Sequence, residues 1–551
     1  MTGAEILIKC LGEAGVDRIS LLCGNGLDPI LAEANRAGMR LIDTRNEQAA
    51  SYIADACARM TRRLGVCAVS SAVGHTNALI GVLNAHFDGA PLLLVSGASS
   101  REHIGMGVFQ ELDHIPLVGS ITKYAWVVER AENIPVYVRD AVAKAVSGRP
   151  GPVHLTVPLD VLRTEVDDAA VRWVRQPQAV AGKDSSPGDA DLMREAVRLL
   201  GQAQQPVLVA GTGLFYAQAG PALAELASGL SMPVVTPIWD RGVVEEESDW
   251  FLGVVGAASG SARILPDADL VILAGARVDY RLGYGLPPVI GEGTRVIRIS
   301  ADAEELRQGI EPEVALLGDP ASVLRQMAEE AQRQELRGFR PWLQEARCRD
   351  REFRWRWLEE PAPDAPPMTG RHIVDALRPF LDDEAVFLID GGNIGQWAHT
   401  ALAHRRYPST WLTCGASAVV GWGLPGAMGA RLAYPDRPII LLSGDGAFTF
   451  TVAELESAAR QELPFVVVLA DDCAWGIVVS GQCQSYGEEG VVCSRMGPID
   501  YVRMAESFGC LGLRAETPAD IGASIERGLK AERPTVVHVP IVTGGPADEP
   551  R

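Results

Sequence analysis

Residues 438–476 read PIILLSGDGAFTFTVAELESAARQELPFVVVLADDCAWG, and their succession of apolar run, glycine turn, helical pattern and second apolar run decides the fold. Pro438–Leu442 has the bulk of a buried strand, and the run breaks at Gly444-Asp445-Gly446, where bare backbone lets a ligand come close. The residues that follow predict a helix, with Thr451 and Glu454 spaced as a capping box and Val452, Leu455 and Ala459 on one face. Pro464–Ala470 is a second strand, and it ends in Asp471-Asp472. A right-handed strand-helix-strand unit brings both acidic tips to the carboxyl edge of one parallel sheet, where such folds bind ligands.

Two carboxylates converging on that edge suit magnesium, which is commonly held by one or two carboxylates together with the phosphates of a ligand. The plainer reading is a pair of ordinary turns, since Asp and Gly are turn residues in their own right.

Composition narrows the class. The chain has 551 residues, more than one core holds, which suggests about three domains. Hydrophobic residues make up 47% and charged residues 22%, the balance of a globular protein. A net charge of −20 argues against nucleic acid, whose phosphates demand clustered Lys and Arg. The one basic, aromatic-interleaved stretch, Arg347–Trp357, is expected to be a linker helix packed by Trp355 and Trp357. Ten cysteines with no Cys-x-x-Cys pair fit reduced thiols in a cytoplasmic protein, with Cys473 a neighbour of the proposed metal site and not a nucleophile. Residues 1–19 carry Glu5 and Glu13 among apolar positions, the pattern of an amphipathic helix and not of a signal peptide. No apolar run approaches the roughly 18 residues of a membrane span.

Apolar runs alternate with helical patterns throughout, which predicts α/β architecture with parallel sheets flanked by helices. Two turn-rich linkers, Gly182–Asp191 and Pro361–Pro367, divide the chain into an N-terminal domain over 1–165, a central Rossmann-like one over 190–335 and a C-terminal one over 368–545. In the central domain Pro206–Ala210, Leu270–Ala274 and Val296–Ile299 are strand-like. The Gly211-x-Gly213 turn there lacks the rest of a dinucleotide fingerprint and is expected to be structural.

The acidic tips also have a characteristic separation: about two dozen residues lie between Gly446 and Asp471. The pattern resembles the fingerprint of thiamine diphosphate (ThDP) enzymes, in which Gly-Asp-Gly is followed at that distance by Asn-Asn; here Asp-Asp takes its place. Residues 41–59, LIDTRNEQAASYIADACAR, resemble the pyrimidine-binding domain of the acetolactate synthase superfamily, where a glutamate follows a short strand. Similar segments continue in order: SSAVGHTN at 70–77, Phe109-Gln110-Glu111, Ile121-Thr122-Lys123, GRPGPVHLTVPLDV at 148–161, GARVDYR at 275–281 and GWGLPGAMGA at 421–430. The resemblance covers nearly the whole chain.

Carried over by position, it implies magnesium ligands from the side chains of Asp445 and Asp472 and the carbonyl of Ala474. Gly444, Gly446, Gly392 and Asn393, with backbone amides near Ala447, would contact the diphosphate. Val420 would be the apolar wedge that bends the cofactor, and Glu47 the glutamate that hydrogen-bonds the aminopyrimidine and promotes its imino form. A lone Glu at a helix start is otherwise a dipole partner. Asn46 stands where many members have His, and that side chain offers no proton relay. Sites of this family lie between subunits, which implies a homo-oligomer, a dimer or tetramer.

For the substrate, Gln110 would face the reacting centre, Arg281 would meet a carboxylate, His75 would line the pocket or be structural, and Trp475 would fill the space left open by Gly481, where acetolactate synthases place Trp. The stretch DDCAWG also resembles benzaldehyde lyase, although CGNG has Gly26 where that enzyme has His. The first expectation is therefore decarboxylation of a pyruvate-like 2-oxo acid with carboligation to a second carbonyl. The alternative is a lyase or ligase acting on 2-hydroxy ketones or 2-hydroxyacyl-CoA without decarboxylation. PIVTGGPADEPR, at 540–551, has no basic cluster to close over CoA phosphates, which disfavours the acyl-CoA version. FAD, which acetolactate synthases carry, is indicated by no motif here. A non-catalytic ThDP-fold subunit is a third reading, opposed by the retention of Glu47, Asp445 and Asp472.

Overall fold

The computed structural model describes residues 1–182, 185–256, 262–358, 362 and 366–546. Three six-stranded sheets follow one another along the chain, and every strand pairing within them is parallel. The first runs in the order Arg40–Asp43, Arg18–Leu21, Gly65–Val69, Leu92–Ala98, Val153–Pro158, Tyr124–Val127. The second centres on Leu270–Ala274 and Pro206–Ala210, and the third on Ile439–Gly444 and Val466–Asp471. Their central strands are buried along their length, as parallel strands covered by helices on both faces must be. Parts of both predicted linkers, residues 183–184, 361 and 363–365, lie outside the described residues.

In the third sheet Gly444 stands in register with Ala470, so Asp445 and the Asp471-Asp472 pair leave the sheet at one edge. The predicted capping box between them does not form. Asp445 opens a short helix directly, Asp445–Phe450, and a second begins at Glu454. Thr451 donates its hydroxyl to the Gly421 carbonyl at 2.8 Å, and Glu454 accepts the Arg45 backbone N–H. Partners distant in sequence have taken both side chains from their local cap.

The first and third domains pack through two helices, Glu47–Thr61 and Gly423–Ala433, whose small residues let the backbones approach. A Cβ on Gly429 would lie 2.9 Å from the Ala56 Cβ and 3.1 Å from the Ile53 carbonyl. A buried ion cluster pins the contact. Arg59 pairs with Asp88 at 2.9 Å and Asp55 at 3.5 Å, and Asp55 accepts the Trp422 indole N–H at 3.0 Å. The linker helix spans Arg340–Leu358; Trp357 is buried against Trp397, but Trp355 is exposed, because only one side of the helix meets the core. Among the described residues no helix is long and apolar enough to cross a membrane, and all ten cysteines are free.

Candidate active site

The two strand tips build a pocket on the third sheet. Asp445, 3% exposed, lines it together with Asp472 and Ala474. Asp471 does not line the pocket: His538 Nε2 lies 2.8 Å from its Oδ2, and its Oδ1 accepts the Cys473 N–H at 3.1 Å. Burial and then the charges of Asp472 and Asp471 push the Asp445 carboxyl up to about 8. Burial also raises Asp472, whereas in Asp471 the burial effect is outweighed by the His538 bond and the Cys473 N–H, for a net lowering. Two raised carboxylates facing one pocket form a donor set that a hard divalent cation would neutralise.

The rest of the pocket fits an anion beside that cation. Asn393 starts the Asn393–Ala401 helix, and its Nδ2 is buried without a protein partner. Gly392, Gly444, Gly446 and Gly476 form a floor that admits no side chain at three of its positions. A Cβ would lie 2.7 Å from Ile477 at Gly392, 2.8 Å from Trp475 at Gly446 and 2.5 Å from the Asp472 carboxylate at Gly476. Ala447 adds to the wall near the start of the Asp445 helix, where backbone N–H groups favour an anion. Val420 lines the pocket half-buried, just before Gly421. That glycine has φ +78, and a Cβ there would lie 2.5 Å from Phe450.

Two pocket residues were not among those expected from the sequence. Trp239, from the central domain, sits at φ +67, its ring 6.2 Å from that of Tyr280. Asp390 is 1% exposed and accepts the Gly423 N–H at 2.7 Å, its other oxygen unpartnered, and burial pushes it up to about 7. Tertiary packing brings Trp239 to this edge, whereas Asp390 ends the Val386–Asp390 strand beside Gly392 and Asn393.

Glu47 lies elsewhere in the chain. It is the first residue of its helix, with Asn46 as cap, and its Oε2 accepts the Asn77 amide at 3.0 Å. Gly74 is obligatory beside it, since a Cβ would lie 2.4 Å from Ser70 Oγ and 3.1 Å from Glu47 Oε1. Gln110, at φ +58, takes the Ser71 hydroxyl on its carbonyl at 2.7 Å, and its side-chain oxygen is buried without a partner. Neither Glu47 nor Gln110 lines the Asp445 pocket within one chain, whereas Trp475 does.

Three more of the expected substrate residues lie apart from the Asp445 pocket within one chain. Arg281 does not reach the pocket: it is 2% exposed and bound to Asp279 and Asp240, so its guanidinium is already occupied. It borders a separate cavity with Arg149 and Arg277. His75, expected either to line the pocket or to be structural, is buried against His114 and His154. Gly481 is exposed on the Gly476–Tyr486 helix, outside the pocket wall, with nothing within 4 Å of a Cβ.

In the second cavity Arg149 pairs with Glu305 at 2.7 Å, and Arg277 lies 3.9 Å from the same carboxylate. The Gly211-x-Gly213 turn packs directly on the Gly275–Ala276 backbone, a structural role.

Comparison with known proteins supplies the lineage. Family models described as the N-terminal TPP binding domain, central domain and C-terminal TPP binding domain of thiamine pyrophosphate enzymes match residues 1–117, 193–327 and 390–539. The chain is 31% identical to the acetolactate synthase isozyme 1 large subunit of Escherichia coli, over 98% of its own length and 94% of that protein's. This chain belongs to the thiamine pyrophosphate enzymes. Within that family it is also 29% identical to the E. coli acetolactate synthase isozyme 2 large subunit, over 98% and 96% of the two chains. It is 27% identical to a probable acetolactate synthase large subunit of Methanococcus aeolicus, over 98% and 92%. The protein is thus a ThDP-dependent enzyme of the acetolactate synthase superfamily, and the three sheets correspond to the family's three domains.

Proposed function

We propose that the enzyme decarboxylates a pyruvate-like 2-oxo acid and joins the retained fragment to a second carbonyl, in the manner of an acetolactate synthase. The likeness to acetolactate synthase large subunits over nearly the full chain carries this reading. Bound ThDP supplies the carbanion chemistry, and the protein binds it, orients it and handles protons. Asp445 and Asp472 would hold magnesium through their carboxylates and Ala474 through its carbonyl. Asn393, Gly392 and the Gly444–Ala447 backbone would take the diphosphate, and Val420 would support the cofactor from below. Glu47 would hold a proton at the aminopyrimidine, its carboxylate oriented by Asn77. The non-decarboxylating lyase remains the second reading, supported by the presence of Trp475 in the pocket.

The separation of Glu47 from the Asp445 pocket supports a site completed by a second copy, at least a homodimer. Exposed apolar side chains border both halves: Val73 and Phe109 in the first domain, Phe450, Ile477 and Val478 in the third. Reduced cysteines and an acidic surface suit the cytoplasm.

The deciding experiment is incubation with ThDP, magnesium and pyruvate. Carbon dioxide release with acetolactate as product supports the proposal. ThDP binding without carbon dioxide release transfers support to the lyase. Co-expression of Glu47→Gln and Asp445→Asn chains tests the shared site: two variants each inactive alone regain activity together only if one copy's Glu47 serves the other's pocket.

A further inference from the structure

The first domain holds a cluster that the proposed chemistry does not use. His75, His114 and His154 are each at most 1% exposed. The His75 and His114 rings stack at 4.2 Å with 16° between their planes, and His154 meets His75 edge-on at 4.9 Å. Their hydrogen bonds fix the tautomers of two rings. His114 Nε2 lies 3.1 Å from the Ala72 backbone nitrogen, a donor, so Nε2 must accept and the proton resides on Nδ1. That Nδ1–H donates to Thr156 Oγ1 at 3.1 Å, which leaves the Thr156 hydroxyl proton for His154 Nε2 at 2.8 Å. His154 then carries its proton on Nδ1, facing the Leu94 carbonyl at 3.0 Å. His75 Nδ1 lies 2.8 Å from Ser96 Oγ. Burial keeps the rings neutral, lowering His75 to about 3 and His114 to about 4, with His154 well below its usual range.

Three histidine nitrogens within 4.8 Å of one another have the composition of a transition-metal site. The bonding opposes it. The Nε2 lone pair of His114 is taken by Ala72 and its Nδ1 bears a proton, so a metal would have to break one of these bonds.

What the cluster holds is the start of a helix. Ala72, at φ 48 and ψ −92, precedes the Val73–Asp88 helix, which has no side-chain cap from its own segment. His114 takes that role from a distant segment, accepting the Ala72 N–H. Ser71, next to Ala72, donates to the Gln110 carbonyl. One turn further on, the helix presents Gly74 to Glu47 Oε1 and Asn77 to Glu47 Oε2.

We propose that His114, locked as its Nδ1–H tautomer by Thr156 and His154, is a positioning residue that caps the Val73–Asp88 helix and so holds the Glu47–Asn77 pair and the Gln110 turn in register. Its consequence for catalysis rests on the reading of Glu47 as the residue that handles the cofactor's proton.

Two independent measurements test it on the full chain. Nitrogen NMR of histidine-labelled, cofactor-free protein at neutral pH is expected to show neutral Nδ1–H tautomers for His114 and His154; an Nε2–H or charged His114 overturns the proposal. The second compares H114L, H114Q and T156V. Glutamine keeps an acceptor for Ala72 and leucine does not, while T156V removes the lock with little change of volume. Amide hydrogen exchange at 72–77 in the cofactor-free protein is expected to accelerate in H114L and T156V and to return toward the parent rate in H114Q. With ThDP and magnesium bound, exchange of the thiazolium-carbon proton is expected to slow about tenfold or more in H114L at unchanged cofactor affinity, and to recover in H114Q. Parent-like proton exchange in H114L overturns the positioning role. Absence of that exchange in the parent itself defeats the reading of Glu47, while the tautomer and amide results still decide whether His114 caps the helix.

Discussion

The Glu454 carboxylate accepts the Arg45 backbone N–H at 3.0 and 3.2 Å through its two oxygens, joining positions 409 residues apart. Arg45 lies two residues before Glu47, and Glu454 opens the helix that follows the Asp445 segment. One buried carboxylate therefore ties the Glu47 turn to the layer that carries the diphosphate pocket of the same chain. If Glu47 serves a second copy's pocket, this contact is one structural link between the two sites.

That carboxylate should make stability depend on pH. Burial, opposed by bonds from Ser457, Arg45 and Asn46, pushes Glu454 from 4.5 to about 7. The folded protein keeps a proton that the unfolded chain releases, so the stabilisation is complete below pH 4.5 and disappears as pH rises through about 7. Glu454→Gln is neutral and still accepts the Arg45 N–H. Thermal unfolding from pH 4.5 to 7.5 is expected to show the parent losing stability relative to E454Q; parallel curves would refute the assignment.

Glu47→Gln is expected to lower turnover by roughly 10² to 10⁴, the usual value of acid–base assistance, without changing the melting temperature. Steady-state rates alongside calorimetry check this. Full activity in the variant would remove Glu47 from the mechanism.

Metal binding should separate the two pocket carboxylates. Asp445, raised to about 8, holds a proton below that pH, so magnesium competes with it and affinity is expected to rise between pH 6 and 8 with proton release. Titration calorimetry in buffers of different ionisation enthalpy counts those protons. Asp445→Asn is expected to lose most magnesium-dependent ThDP binding. Asp472→Asn, which restores the Asn of the family pattern and removes one of the charges raising Asp445, is expected to retain it and to weaken the pH dependence.

Trp239→Ala opens the wall that the central domain contributes. The half-buried ring leaves a stability cost of about 1–3 kcal/mol, measurable by denaturant titration. Acceptance of bulkier second carbonyl substrates is expected to improve relative to pyruvate in competition assays. An unchanged preference would place Trp239 outside the substrate's path.

Much of the architecture was written in local pattern. The strands Pro206–Ala210 and Leu270–Ala274 lie where their apolar runs predict, and Ile439–Gly444 and Val466–Asp471 within a residue or two, because parallel strands buried on both faces must be continuously apolar. The Gly444-Asp445-Gly446 turn and the acidic pair after the next strand were equally legible, since period and turn chemistry are properties of neighbouring residues.

What the sequence by itself determined is therefore the order of strands and helices and the carboxyl edge on which the acidic residues emerge. Tertiary structure decided which of those residues face one another. It turned Asp471 to His538 and left Asp472 beside Asp445, spent Arg281 on Asp240 and Asp279, and brought Trp239 to the pocket. It also drew Thr451 and Glu454 away from each other to Gly421 and Arg45. The physical reason is common to all of these. A buried polar group must find a partner, the partner that satisfies it is set by packing in three dimensions, and separation along the chain carries no record of that choice.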